Sequence, residues 1–456
     1  MIFLIILLGA FLRLYELPAN MVFHGELGDN YLAIKNFIAA GQIPLLGPPT
    51  SHPWFNFGPL FYWLTAPVLA LFGYNPLAGA YFMALIQTAL IAVNFYFVSK
   101  LFNLPAQAGK RVALISSFLI AISPLFLNLA RESRFFSLTS LFFYPFYYYL
   151  VVGNLFLSGL AFGTMLNFHL TPIVFVPPLI IYLIRKGTKA KDYLKFSLGF
   201  VIPNLPFLIY NAGHGFEMLK NILLWVPYRI LGFVGILPKN SPTGVTILAN
   251  FYSLGGFVSA SFMYRFALGA VFVAIVFGYL VWQIRKNWKT KAISPEFLLV
   301  LFFLFGYAGL FIHGSPPNHY YLPLYLLPIV FLALLLAKLK SKIAIGFILF
   351  VVMVFNLRFF FSKNWFFLPQ DRVIDGETPY EIQISASRQI IADAAGQKFS
   401  LKRVGHGDEF AENYSQNYRY LLWWLGNEPT EGAKITYTIY EKEGENVYFS
   451  RSLNQE

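Results

Sequence analysis

The sequence predicts an all-α polytopic membrane bundle of about eleven transmembrane helices, with interfacial helices in the first outer loop and a small C-terminal extracytoplasmic α/β domain. Three observations carry that reading. Four short loops, 100–111, 185–195, 285–291 and 338–342, hold three, five, four and three lysines and arginines. The much longer remaining connections before residue 342 share only eight, Arg13, Lys35, Arg131, Arg134, Lys220, Arg229, Lys239 and Arg265. Apolar runs separate the two kinds of loop, so basic and non-basic connections alternate, which is the positive-inside pattern and assigns a side to each. Composition agrees: 57% of residues are hydrophobic and 12% charged, against roughly 25% charged in a soluble domain. Lastly, residues 362–456 hold fourteen of the 21 acidic residues and no run long enough to span. The expected division is therefore 1–361 for the bundle and 362–456 for the tail.

The net charge of +13 does not point to nucleic acid, because the basic residues concentrate in short turns that meet anionic lipid headgroups. With no cysteine there is no disulfide and no thiolate metal site.

Taken in order from the inside, helix 1 covers 1–14. Met1–Leu12 followed by Arg13 has no basic leader and no A-x-A site, so it reads as a retained helix rather than a signal peptide. It is short for a span of ~20 residues, which leaves room for a start further upstream. Residues 15–76 form a large outer loop. Helix 2 (77–99) returns to the basic 100–111 turn, and helix 3 (112–130) exits. Helices 4 (136–152) and 5 (155–168) make an uncharged hairpin. Helix 6 (170–184) re-enters and helix 7 (196–211) exits to an outer loop reaching about 264. Helices 8 (266–283), 9 (297–312), 10 (322–337) and 11 (343–360) complete the bundle. The apolar segment 58–73 would invert every later loop if it spanned, so it reads as interfacial or re-entrant, with Trp54, Tyr62 and Trp63 at headgroup depth. In the tail, 380–395 has helical apolar spacing, and 433–451 alternates as two strands around Glu443-Gly444-Glu445-Asn446.

Chemistry concentrates in the first outer loop, where Glu26 and Asp29 precede an amphipathic helical segment, 30–40. A carboxylate beside an aromatic-lined cavity near the membrane suits general-base work on a hydroxyl, since burial raises its pKa toward a useful range. Asp29 is also a favoured helix N-cap, and that structural role is the commoner one. Glu26 lies upstream of such a cap and is the first choice for the base. Arg131 and Arg134, with Glu132 between them, and Arg265 at the start of helix 8 are candidates for holding a phosphate by bidentate contact. The competing reading is of helix-end arginines snorkelling to headgroups. His169 and His319 sit at outer helix ends, and Asn318-His319-Tyr320-Tyr321 offers donors to a phosphate or sugar, or forms part of an aromatic belt.

The chain resembles the GT-C superfamily of multi-spanning glycosyltransferases, in particular the family 39 and protein-mannosyltransferase-like group that includes lipid A aminoarabinose transferases. The resemblance runs through Gly25-Glu26-Leu27-Gly28, Gln42-Ile43-Pro44-Leu45-Leu46-Gly47-Pro48, Gly58-Pro59-Leu60-Phe61-Tyr62, Leu71-Phe72-Gly73, His169-Leu170-Thr171, Pro206-Phe207-Leu208, Gly215-Phe216 and His319-Tyr320-Tyr321-Leu322-Pro323. It implies transfer of a sugar from a polyprenyl-phosphate donor to a lipid, glycan or protein acceptor at the outer face of the cell membrane. The family acid is usually Asp where this chain has Glu26, and Arg131-Glu132-Ser133-Arg134 lacks the aspartate many relatives carry there. Either Glu132 substitutes for it or a metal dependence built on paired aspartates falls away, so no cofactor is assigned and a divalent metal stays open without support from this sequence. The rival classes are a transporter or lipid flippase, opposed by few intramembrane charges and no visible inverted repeat, and a scaffold that presents the tail.

Overall fold

The computed structural model describes residues 1–50, 52–102, 106–131, 133–237, 243–264, 266–290, 292–312, 318–362, 378–405, 415–441 and 447–453. Among them, seven helices are long and apolar enough to cross a membrane: Pro76–Leu101, Phe135–Val152, Ala190–Gly213, Ala267–Asn287, Pro295–Ile312, His319–Lys338 and Lys342–Phe360. An eighth span arises if the bent pair Ala108–Ile122 and Pro124–Arg131 counts as one. Shorter apolar helices at Ile2–Leu14, Leu155–Phe168 and Thr171–Arg185 coincide with the other three helices expected from the sequence, and Leu60–Leu71 is the short segment read as interfacial. The chain is a multi-pass membrane protein.

Helices α1 (Ile2–Leu14), α6 (Ala106–Ile122) and α7 (Pro124–Arg131) meet at a break that the sequence reading ran through as one helix. Pro124 has no N–H for the carbonyl four residues back, so Ile120 loses its helical partner and the pair bends by 57°. Orphan carbonyls in an apolar setting are costly. The fully buried Arg13 of α1 takes two of them, donating from Nη2 to Ile120 O (3.1 Å) and from Nη1 to Ala121 O (3.2 Å). Asn356 of α17 (Lys342–Phe360) takes a third, Ile122 O, at 3.1 Å. Arg131 performs the same service for α1, donating to Leu12 O (3.0 Å) and Tyr15 O (2.9 Å).

Elsewhere small residues let backbones approach. In α9 (Leu155–Phe168), a Cβ on Gly159 would come within 2.0 Å of Phe196 O in α11 (Ala190–Gly213). The stretch expected as a loop to about 264 instead holds α12 (Glu217–Phe233) and α13 (Thr243–Ala260). Pro227 and the flanking Lys220 and Arg229 hide α12 from a search for apolar spans, and its leucines Leu223 and Leu224 are exposed on its surface.

The first long connection carries α2 (Leu17–Asn20), α3 (Gly25–Ala39) and α4 (Leu60–Leu71) ahead of α5 (Pro76–Leu101). The Pro/Gly-rich turn between α3 and α4 folds back on itself, with Gly47 N–H on Phe57 O (2.8 Å) and Phe57 N–H on Pro48 O (3.0 Å). Asn167, at the end of α9, fixes the start of α4 by accepting the Leu60 N–H at 3.0 Å.

The tail has its own small core. Helix α18 (Tyr380–Ala394) matches the amphipathic stretch, and strands β2 (Ile435–Tyr440) and β3 (Tyr448–Leu453) pair antiparallel as the alternation predicts. The turn expected at 443–446 lies outside the described residues. A third strand, β1 (Phe399–Val404), pairs parallel to β2, and α19 (Gln416–Trp424) makes the crossover that parallel strands require. Neither was read from the sequence: β1 (FSLKRV) is too short and too charged to show alternation.

Candidate functional site

The site grows from the first turn of α3. His24, in an extended conformation, caps the helix: its Nδ1 accepts the Leu27 N–H at 3.2 Å. The helix therefore starts five residues before the segment expected from the sequence, and Asp29 is not its cap. A ring nitrogen does the work usually given to Ser, Asp or Asn. Glu26 consequently sits in the first turn and Asp29 one turn on, so the two carboxylates occupy neighbouring positions on one face, near the helix end that favours negative charge.

Two buried polar groups lock this turn. Asn30 donates to Glu26 O at 2.9 Å and accepts from the Tyr62 hydroxyl of α4 at 2.8 Å. The Tyr62 phenol is pushed up first by burial and then by the charges of Asp29 and Glu26, so both carboxylates bear on it. Burial likewise raises the Asp29 carboxyl above its ordinary value. His24 is held well below the usual imidazole range, mainly by burial and further by the charge of Arg134. It is thus neutral, with its proton on Nε2, which is buried and meets no acceptor among the described residues.

Arg134 leads the short 3-10 turn Phe135–Leu138 that opens α8 (Thr139–Val152), and its guanidinium lies 5.6 Å from the Phe136 ring. Phe136 stacks on His319, with centroids 4.9 Å apart and an interplanar angle of 12°. His319 lies 5.8 Å from His169 and 4.9 Å from Tyr320, and His169 lies 5.4 Å from Tyr320. Distant in sequence, these residues form one cluster. His169 Nδ1 is occupied by Thr171, whose backbone N–H it accepts at 3.3 Å and whose hydroxyl stands at 2.7 Å. Beyond Tyr320 the strip continues to α12. Burial pushes the Arg229 guanidinium down, against the opposing influence of the Tyr320 and Tyr228 phenols. Arg229 lies 5.4 Å from the Trp225 ring, and Trp225 meets His52, which stacks on Trp54 at 5.3 Å.

The structure therefore sets Arg134 at one end of an aromatic strip with His319, His169 and Tyr320 along it, and within the field of His24, the cap of the helix that carries Glu26 and Asp29. Arg131 stands apart as the buried cap of α1. Tyr321 turns away, stacking on Phe257 (5.1 Å) and donating to Asn250 at 3.3 Å. Glu132 and Arg265 lie outside the described residues. Among the described residues no three His, Cys, Asp or Glu side chains gather as metal ligands. His24 and Asn30 were not singled out in the sequence, and Tyr62 and Arg229 were read there only as an interfacial aromatic and a basic residue of the longer connections. Asn30, four residues after Glu26, was the one with a visible signal.

No family model and no curated protein sequence matches this chain. Solved structures do. ArnT from Cupriavidus metallidurans bound to undecaprenyl phosphate superposes with a TM-score of 0.62 at 12% identity, over 96% of this chain and 92% of that one. The apo state of the same protein gives 0.59 at 13% identity, with the same coverage. The likeness establishes the fold.

Proposed function

We propose that this protein is a membrane glycosyltransferase that moves a sugar from a polyprenyl-phosphate carrier to a hydroxyl acceptor at the outer membrane face, with inversion. The observation that supports the reading is the start of α3, where Glu26 and Asp29 follow one another on one face and the capping His24 lies within the field of Arg134. It gains support from a fold shared end to end with a protein solved with undecaprenyl phosphate bound. The acceptor oxygen attacks the anomeric carbon and its proton passes to a carboxylate, Glu26 in this proposal and Asp29 as its rival. The bond from that carbon to the phosphate oxygen breaks, and its electron pair leaves on the phosphate. The leaving group is already an acidic phosphate ester, so charge stabilisation matters more than protonation, and a guanidinium supplies it with two parallel donors. Arg134 is assigned this role, and His169, His319 and Tyr320 are assigned to the sugar or phosphate along the strip.

Mass spectrometry of lipids retained by the purified protein tests the proposal. A polyprenyl-phosphate sugar should co-purify, and a preparation that retains only bulk phospholipid and binds no added undecaprenyl phosphate would sink it. Orientation is tested separately. The chain has no cysteine, so single cysteines at Gln389 in α18 and at Lys289 in a basic loop report cleanly. The first should react with an impermeant maleimide in intact cells and the second only after lysis, whereas the reverse pattern would put α3 on the wrong side for the proposed site.

A further inference from the structure

We infer that Asn417, in the C-terminal α/β unit, is a positioning residue for the carboxylate turn, so that the site is complete only with the tail seated on α3. The inference rests on the reading of α3 given above. Asn417 is 3% exposed in the first turn of α19, and its Nδ2 carries two hydrogens with two takers: Phe23 O at 3.2 Å and Gln383 Oε1 at 2.8 Å. Phe23 immediately precedes the capping His24, so its carbonyl direction sets how the chain enters α3. Gln383 is itself held, donating to Thr378 O at 2.6 Å.

The same stretch is gripped twice more. Tyr380 N–H reaches Met21 O at 3.4 Å, and Val22 forms a bridge with Pro379. On the far side of the turn α19 lies directly on Gly28, where a Cβ would come within 2.3 Å of Asn417 N. That explains a glycine inside a helix, where it is otherwise unfavourable. Further along, the Tyr420 ring packs on Phe23 (5.8 Å) and Tyr31 (5.5 Å), while its hydroxyl donates to Tyr74 O at 2.7 Å. Trp424 Nε1 donates to Gly73 O at 3.1 Å. Glu26 thus stands on a turn held at residue 23 before it and residue 28 after it, both from α19. A reacting group displaced by about 1 Å loses on the order of 10²-fold in rate. The tail therefore bears on turnover rather than on capture of the carrier, which the arginine and the aromatic strip serve.

The test uses the full-length protein in nanodiscs. Asn417→Asp keeps the volume but sets an oxygen against two acceptor oxygens, and Gly28→Ala pushes α19 off the turn by an independent route. Three quantities are read: single-turnover transfer from the co-purified donor, affinity for undecaprenyl phosphate, and hydrogen exchange across 21–31. Both variants should lose roughly 10- to 100-fold in transfer, keep their affinity for undecaprenyl phosphate, and exchange faster within 21–31 alone. Arg419→Ala, on the same helix but in a surface pair with Glu431, should change none of these. Full transfer with a loosened 21–31 segment would overturn the inference, as would exchange that does not change in either variant. Loss of transfer together with affinity, and loosening throughout the bundle, would also overturn it by showing a general structural role. If the wild-type protein neither transfers sugar nor binds undecaprenyl phosphate, the proposed function fails by itself. The exchange measurement then still decides whether Asn417 holds the turn, supported by a change confined to 21–31 and refuted by none.

Discussion

Two clusters of buried polar groups lie a few residues apart in the fold, and they differ in what their partners are. At the α6–α7 break, Arg13, Arg131 and Asn356 all donate to backbone carbonyls, and Pro124 and two helix ends account for the carbonyls they take. That cluster is closed in the sense that most carbonyls its donors take are ones which the fold itself orphaned. At the start of α3 the polar groups are carboxylates, a neutral histidine with a buried N–H, and Arg134. Only part of this inventory is accounted for by backbone needs. Among the described residues an unanswered buried N–H is common to both, at His24 Nε2 and at Arg13 Nε, so what distinguishes the α3 cluster is its carboxylates. On this difference rests the proposal that Arg131 serves the architecture and Arg134 a ligand, two roles that residue type alone could not have separated.

The sharpest way to break the comparison is to remove one carboxylate oxygen from the α3 cluster. Glu26→Gln keeps shape and lowers transfer by roughly 10²–10⁴-fold, the contribution of a positioned base, while undecaprenyl phosphate affinity survives. Asp29→Asn retains transfer if Glu26 is the base. Its effect on stability follows from the raised carboxyl pKa. The folded state holds that proton more tightly than the unfolded one, so the stability it lends is present at low pH and is lost as pH rises through the folded value. Asp29→Asn removes this dependence, so the variant's thermal midpoint should be flatter than wild type's across that window. An active Glu26→Gln beside an inactive, folded Asp29→Asn would transfer the role to Asp29, and the acidic limb of the wild-type rate profile would then lie above the ordinary carboxyl value of about 3.9. Two fully active variants would end the enzyme reading as stated.

Much of the bundle was legible because lipid imposes length and apolarity on the helices that cross it. What escaped has physical reasons. The break at Ser123-Pro124 was invisible to hydropathy, since both sides are apolar and the signal is one missing N–H. Helix α12 was lost because Lys220, Pro227 and Arg229 interrupt its apolar run. At the site, the spacing of Glu26 and Asp29 was readable, but the start of α3 was misplaced because histidine is an uncommon cap. The meeting of His169, His319 and Tyr320 is long-range packing, as is the gathering of α19 onto Gly28, and no local pattern encodes either.

Arg131 and Arg134, three residues apart, allow the comparison to be sharpened within one loop. Arg134→Lys keeps a charge but loses the planar fork, so transfer should fall while folding is untouched. Arg134→Ala should fall further, on the order of the 10²-fold that removal of a charge-stabilising donor typically costs. Arg131→Met should behave in the opposite sense. It strips the carbonyls of Leu12 and Tyr15 of their donor, at about 1–3 kcal/mol for each buried acceptor left unmade. Its mark is a lower thermal midpoint in the same nanodiscs, with the affinity for undecaprenyl phosphate unchanged in whatever fraction remains folded. Measuring midpoint and affinity on all three variants decides the matter. If Arg131→Met lost affinity at an unchanged midpoint, the buried arginine would be the phosphate ligand and the closed cluster would not be closed. If Arg134→Ala lowered the midpoint and left transfer intact, the open cluster would be scaffold like the other.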